Sequence, residues 1–345
     1  MEKETETIII GGGRAGLSVA RYLKEFNRSF VILEKNKEIG ESWKNRYDSL
    51  VLDSFAKYSH LESFPFPGDQ MRQPQKDDVV FYLKNFAKHF DLKPEFGTKV
   101  IKKEKQEETF IIHTNKGIYK SKFLVLATGP FQTPFVPEFA KDIPKEIFQI
   151  HSNDYRKPNQ LKDGPTVVIG GGNSGAEIAE EIANSCREVL FSYKKKFRSV
   201  KSSHFSQWLA YSVGLAHVPQ NTLLGKLILW YTKGKAVGVD VKKLLNHPKI
   251  KSVGEFIKAE NDKIHFSKVI VKNISNIIWA TGYRSDFSII SIPDFDPSLQ
   301  KRGVTNIPGL FVLNIRWQHS KSSSHLAGIS RDAKYIAQKI ANNQK

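Results

Sequence analysis

Three features of this 345-residue sequence predict an α/β fold built on two βαβ units. A short apolar run, a glycine cluster and an amphipathic stretch follow one another at residues 7–26 and again at 166–183. A second apolar run closes each group, at 29–33 and at 188–192. Hydrophobic residues make up 40% of the chain, enough for two cores and too many for a disordered polymer.

The first unit opens with a β run at 7–10. It continues in a helix at 17–26 with apolar residues at helical spacing, and returns in a β run at 29–33 that ends in Glu34. Between strand and helix stands Gly11-Gly12-Gly13-Arg14-Ala15-Gly16, which satisfies G-x-G-x-x-G. Gly11 permits the tight turn, Gly13 lets the backbone approach a pyrophosphate, and Gly16 lets helix and strand pack closely. The first helical turn, at Arg14 and Ala15, offers unpaired N–H groups and a partial positive charge to phosphates. Glu34, with Lys35 beside it, stands where an acid accepts hydrogen bonds from ribose hydroxyls. The bland alternative is a glycine turn in an unrelated α/β fold.

The middle of the chain is less patterned. In 76–90, Val79, Val80, Leu83, Phe86 and Ala87 share a helical face, and Asp77 and Asp78 sit in the first turn, where the helix dipole favours acids. Alternating segments at 98–124 predict a small antiparallel meander, and 123–127 a separate buried strand ended by Thr128-Gly129-Pro130. Residues 199–250 are the hardest to read. Within them LLGKLILWYTKGK (223–235) is read as a helix packed on the core and broken by Gly225 and Gly234; peripheral membrane contact by 220–235 is the alternative. β character resumes at 264–271 and 277–280, and a helix at 332–340 closes the chain.

The second unit repeats the first: a strand at 167–169, then Gly170-Gly171-Gly172-Asn173-Ser174-Gly175, a helix at 176–183 and a strand at 188–192. The residues beyond that strand are different in kind. Tyr193-Lys194-Lys195-Lys196 stands in place of an acid. An acid there selects a free 2′-hydroxyl, whereas a basic cluster accommodates a 2′-phosphate. NADPH is therefore favoured, with NADH as the alternative and a solvated lysine loop as the bland reading.

Two dinucleotide sites in one chain imply an electron relay: nicotinamide delivers hydride, and FAD at the other site accepts it. The next acceptor is neither a dithiol nor an iron–sulfur cluster, because Cys186 is the only cysteine. Just past a helical stretch, Cys186 reads as a packed small hydrophobe rather than a nucleophile. The ten histidines are scattered without HxxxH or HExxH spacing, so no metal is expected. Oxygen or a small organic acceptor remains.

These residues resemble the class B flavoprotein monooxygenases, meaning flavin-containing monooxygenases and their small YUCCA-like bacterial relatives, over nearly the whole chain. Besides the paired glycine motifs, GESWKNRYDSLVLDS (40–54) looks like the family's segment against the flavin. Ala127-Thr128-Gly129 with Pro134 and Pro137 is similar to its first domain crossover. His151 and Tyr155 match the end of its FxGxxxHxxxY signature, with Lys145 and Ile147 at the Phe and Gly positions. Ala280-Thr281-Gly282-Tyr283-Arg284 resembles its late ATGYR segment, and 309–320 and 328–337 look like the ending of its flavin domain.

The resemblance implies an FAD domain at 1–160 and 285–345 and an inserted NAD(P)H domain at 161–284. Implied FAD contacts are Gly11, Gly13, Arg14, Ala15, Gly16, Glu34, Lys35, Ser42, Trp43, Ser54, Val100, Ala127, Thr128, Gly129, Gln318 and Leu326. Implied NADPH contacts are Gly170, Gly172, Asn173, Ser174, Gly175, Tyr193, Lys194, Lys195, Ala280, Thr281, Gly282 and Tyr283. His151, Tyr155 and Gln318 are the candidate catalytic residues; the first two dock the domains and the nicotinamide, or merely cap the linker. Gly328 would precede the last helix and aim its N-terminus at the flavin. The implied reaction is NADPH-driven monooxygenation of a small soft nucleophile, a sulfide or an amine, by O2 through a C4a-hydroperoxyflavin. An NAD(P)H:flavin oxidase or quinone reductase, and a redox-sensing flavoprotein that regulates transport, stand as rivals.

Bulk properties bound the rest. The net charge is +18, with lysines spread along the chain; a basic surface attracts anions, and solubility is the bland reading. Residues 1–7 are polar and no apolar run nears the ~20 residues of a membrane span, so neither signal peptide nor span is expected and the location is read as cytoplasmic. No nucleic-acid recognition module is visible. A homodimer is left open.

Overall fold

The computed structural model describes residues 2–194, 197–200, 202–233, 235–260, 263–284, 292–315 and 317–343. The fold is α/β, with two sheets that each carry a parallel βαβ unit.

The first unit runs β1 (Glu2–Ile10), α1 (Arg14–Glu25) and β2 (Phe30–Leu33). After α2 (Lys76–His89) come β3 (Val100–Gln106), β4 (Thr109–Thr114) and β5 (Gly117–Leu126). β1 lies in parallel between β2 and β5, with Ile8 opposite both Val31 and Leu124. Ile8 and Ile9 have no exposed surface. Both faces of this strand are therefore covered, which is why it reads as an unbroken apolar run rather than an alternating one. The expected antiparallel meander forms as β3, β4 and β5, and its last strand runs on without a break into the strand expected at 123–127. The first half of β5 pairs antiparallel with β4, and its second half pairs in parallel with Leu310–Val312.

α2 starts where expected: the Gln75 N–H donates to Asp78 Oδ2 at 2.8 Å, a side chain satisfying a backbone group at the helix start. All five residues expected on its inner face are buried. Val79, Leu83, Phe86 and Ala87 pack in one core with Leu17 and Leu23 of α1 and with Ile329, Ile336 and Ile340 of the last helix.

The second unit comprises β6 (Phe148–His151), β7 (Thr166–Ile169), α3 (Asn173–Asn184), β8 (Val189–Ser192), β9 (Ile250–Gly254) and β10 (Asn276–Trp279). Its sheet is wholly parallel, in the order β9-β8-β7-β10-β6. β6 precedes residue 161 and yet belongs to this sheet. The expected strand 264–271 is split instead into Lys263–Phe266 and Ile270–Lys272 of a small antiparallel sheet. The two crossovers between units run side by side, Thr133–Pro134 pairing with Tyr283–Arg284.

Between β8 and β9 lie α4 (His204–Ser212) and α5 (Leu223–Thr232). α5 corrects the reading of 223–235 as a core helix. Gly225 does not break it; a Cβ there would lie 2.0 Å from Pro219 O, so the glycine is the point on which the helix rests. Leu223, Leu227 and Trp230 face outward, 88%, 57% and 75% exposed. Gly234 lies outside the described residues. Cys186 is also corrected: it follows the C-cap Ser185 with φ +64° and is exposed, not packed. The last helix, α6 (Leu326–Asn342), begins earlier than 332, so Gly328 sits inside its first turn, where a Cβ would meet Ser322 O at 1.9 Å. Among the described residues no helix is long and apolar enough to cross a membrane.

Candidate functional site: two glycine turns

At the first turn, Gly11 has φ +109°, a left-handed conformation that side chains disfavour, and a Cβ there would lie 2.6 Å from Ala127 O. A Cβ on Gly16 would lie 1.8 Å from Gly11 O. On Gly13 it would meet nothing within 4 Å. The second turn is laid out alike. Gly170 has φ +138° and stands against Ala280 O, a Cβ on Gly175 would lie 1.9 Å from Gly170 O, and one on Gly172 would meet nothing within 4 Å. The backbone bonds match as well: Gly11 N donates to Leu33 O at 2.8 Å and Gly170 N to Ser192 O at 2.9 Å, while Ala127 N donates to Ile10 O and Ala280 N to Ile169 O.

Neither α1 nor α3 has a capping side chain or an acid in its first turn. Their leading N–H groups and positive dipole ends therefore face open space beside Gly13 and Gly172. This donor set suits a pyrophosphate, and none of the described residues comes within 4 Å of a Cβ placed on either glycine. The residues fit a dinucleotide at both places.

The surroundings differ. Glu34 is buried; its Oε2 accepts from Gly12 N at 2.6 Å and its Oε1 from Asn36 N at 2.9 Å. Each carboxylate oxygen keeps a second acceptor position, as a ribose contact requires. Thr98 N donates to Glu34 O, which brings the start of β3, at Val100, alongside Glu34, whereas Lys35 is exposed. At the corresponding place in the second unit Tyr193 is buried, its hydroxyl 2.9 Å from Ser252 Oγ. Lys194 projects into solvent, 3.7 Å from Glu255. Lys195 lies outside the described residues.

Arg14 joins the first turn to the C-terminal segment. Its guanidinium donates to Asn314 Oδ1 at 3.0 Å and Ser324 O at 2.7 Å, and burial lowers its pKa to about 10. Ser324 immediately precedes His325 and Leu326, so the first turns of α1 and α6 converge. Ala127, Thr128 and Gly129 follow β5 past Gly11, and Ala280, Thr281 and Gly282 follow β10 past Gly170. Asn173 is engaged structurally: its amide both donates to and accepts from the Val237 backbone, at 2.8 and 2.9 Å.

The 40–54 segment connects the units. Trp43, next to Ser42, packs on the cores of both. The Tyr47 hydroxyl donates to Glu177 Oε2 of α3 at 2.6 Å, and burial raises that carboxyl to about 7. Arg46 reaches the Tyr283 hydroxyl. Ser54 Oγ is 2.7 Å from Ser59 Oγ, and the Asp53 carbonyl accepts from Gln207 Nε2 of α4 at 2.8 Å.

His151 and Tyr155 lie at this junction and not at either turn. The Nδ1 of His151 accepts from Asn153 N at 3.0 Å, and its Nε2 is 3.1 Å from Gly282 O. Both ring nitrogens are thus occupied by backbone in the neutral tautomer, and burial lowers the pKa. Tyr155 is fully buried and donates to Glu181 Oε2 at 2.9 Å. Gln318 is buried; its Nε2 has no hydrogen-bond partner among the described residues and lies close to Gly303. Sequence reasoning missed Tyr211 and His325, whose hydroxyl and Nδ1 are 3.5 Å apart, and Lys321, whose pKa burial lowers. The serine-rich run ahead of α6 was the available signal for the latter two. Among the described residues no group of side chains is arranged to hold a metal.

The family described as pyridine nucleotide-disulphide oxidoreductase matches residues 8–214. An uncharacterized CzcO-like oxidoreductase of Geobacillus kaustophilus is 36% identical over 99% of this chain and 100% of its own length. The probable indole-3-pyruvate monooxygenase YUCCA7 of Arabidopsis thaliana is 27% identical, covering 98% of this chain and 88% of the plant protein. In fold, the flavin-containing monooxygenase of Stenotrophomonas maltophilia superposes with a TM-score of 0.80 at 21% identity, over 98% of both chains. The family's description includes a disulphide, which this chain, with its single cysteine, cannot form within itself. The chain belongs to the pyridine nucleotide-disulphide oxidoreductase family, among relatives that include flavin monooxygenases, and is an FAD- and NAD(P)H-dependent oxidoreductase.

Proposed function

We propose that the chain is an NADPH-oxidising monooxygenase that places one oxygen atom of O2 on a small soft nucleophile, a sulfide or an amine. The observation that carries this reading is the pair of open glycine turns, alike in backbone and different in strand-end chemistry, in a chain with no second cysteine to take the electrons. When bound, FAD supplies electron storage and reactivity toward O2, and NADPH supplies hydride.

In this reading the chain's residues bind, orient and seal. Gly11, Gly13, Ala15 and Gly16 hold the FAD pyrophosphate and Glu34 its ribose, and Arg14 ties that turn to the loop entering α6. Gly170, Gly172, Ser174 and Gly175 hold NADPH, with Lys194 near its 2′-phosphate. The flavin unit consists of the residues before Phe148 and those after 284; 148–284 form the nicotinamide unit, because β6 pairs in the second sheet. His151 and Tyr155 act as positioning residues: with every polar ring or hydroxyl atom already bonded, they fix the junction rather than carry protons. The Tyr47–Glu177 and Arg46–Tyr283 contacts hold the units together and exclude water between them.

The test is stoichiometry. FAD-loaded protein is given NADPH, O2 and a thioether, and sulfoxide, NADPH and peroxide are measured together. Near-equal sulfoxide and NADPH supports the reading; peroxide equal to NADPH, whatever substrate is offered, replaces it with an oxidase. That second reading has one observation in its favour, the Lys145 and Ile147 that stand at the signature's Phe and Gly positions.

A further inference from the structure

Helix α5 is amphipathic in the reverse sense for a surface helix of a globular protein. Its one buried residue is Gly225, and its solvent side carries Leu223, Leu227 and Trp230. At helical spacing these three share one arc with Leu224 and Tyr231, both exposed. Lys226 and Lys233 are exposed on one flank of that arc, and Lys235 Nζ stands 3.7 Å from the centroid of the Tyr231 ring. On α4, Phe205 and Trp208 are likewise exposed, with ring centroids 5.8 Å apart. Scattered surface hydrophobics are ordinary, but a continuous arc of five, with Leu227 at its centre and Trp230 at the edge next to the lysines, costs free energy unless something covers it.

Charge selects what covers it. Residues 189–239 contain eight lysines and arginines and neither Asp nor Glu. A second copy of this chain would bring lysines against lysines, which is unfavourable. An anionic bilayer surface supplies both halves of the match: leucine and the aromatic rings enter the boundary between headgroups and acyl chains, lysine stems lie along it, and the ammonium groups reach the lipid phosphates. A helix of 10 residues, about 15 Å long, lies in that plane and does not span it.

We propose that α5, through Leu223, Leu227, Trp230 and Tyr231 with Lys226 and Lys233, docks the enzyme on anionic phospholipid membrane surfaces. This proposal is independent of the chemistry at the glycine turns.

The test uses full-length, FAD-loaded protein mixed with vesicles of phosphatidylcholine alone or with about one third phosphatidylglycerol, read by co-sedimentation and tryptophan emission. Binding to the anionic vesicles is expected to exceed binding to the zwitterionic ones by about tenfold or more, to weaken in about 0.5 M salt, and to shift the emission to the blue. Leu227→Ser with Trp230→Ser is expected to lower binding about tenfold, and Lys226→Glu with Lys233→Glu to remove the preference for anionic lipid. These side chains are exposed, so flavin content and NADPH oxidation without vesicles should stay at the parent level. Absence of binding to anionic vesicles, or binding indifferent to both variant pairs, overturns the proposal. So does a dimer in sedimentation equilibrium that Trp230→Ser dissociates, because a second copy would then be the cover.

Discussion

The two glycine turns can be set side by side almost atom for atom. Each has a left-handed glycine pressed against the carbonyl of an Ala-Thr-Gly strand end, at Ala127 and Ala280, and a helical glycine touching the first one's oxygen. They part at the end of the second strand. There Glu34 turns its carboxylate back onto Gly12 N, while Tyr193 lies behind Gly171 and leaves Lys194 to solvent. Holding a pyrophosphate is a backbone task and tolerates no variation in shape. Choosing the nucleotide falls to side chains, which are free to diverge.

The largest effects should come from filling the closed side of either turn. Gly16→Ala and Gly175→Ala would put a Cβ 1.8 and 1.9 Å from a backbone oxygen, and each is expected to cost roughly 3 kcal/mol or more in denaturant unfolding. If both variants unfold at the parental midpoint, the close packing of helix and strand is not what these glycines provide.

Filling the open side separates cofactor from fold. Gly13 and Gly172 have φ of −82° and −96°, which alanine adopts freely, and their Cβ positions are empty. Gly13→Ala should fold yet bind FAD about 100-fold more weakly, whereas Gly172→Ala should stay yellow and raise KM for NADPH about tenfold. Swapped phenotypes would exchange the two assignments.

The junction offers a pH test. Glu177 keeps its proton to about pH 7 in the folded chain, against an ordinary value of 4.5, with burial the first cause. The folded state therefore binds more protons between these values, so stability is full below the lower one and declines as pH rises through the upper. Relative to Glu177→Gln, which has no such loss, the parent should become less stable by about 2 kcal/mol between pH 4 and pH 8. Parallel pH profiles of the two proteins would place the carboxyl in water instead.

The smallest effect sharpens the side-chain half of the comparison. Lys194→Glu puts an acid at the strand end of the second turn, as Glu34 does in the first, and should raise KM for NADPH about tenfold with little change for NADH. An equal change for both nucleotides would detach Lys194 from the 2′-phosphate.

Local pattern makes much of this legible. Both turns, both βαβ units and the inner face of α2 are readable because glycine spacing and apolar periodicity are set within one or two turns of chain. β5 is not, since its two halves pair with different partners and so present two patterns in one strand. β6 reads as part of the first unit, because four residues, Phe148–His151, cannot announce which sheet they will join. α5 looks like a core helix because apolar composition says nothing about which way a face points.

By itself the sequence determined where the two glycine turns form, because a left-handed turn and a bare helix start are demands that glycine meets locally. Only the tertiary structure decided what His151, Tyr155 and Asn173 bond to, which strand closes the second sheet, and that α5 turns its leucines and tryptophan to solvent. Those outcomes depend on partners distant in sequence, Glu181 for Tyr155, Val237 for Asn173 and, more than a hundred residues away, Gly282 for His151, and no local pattern encodes such distances.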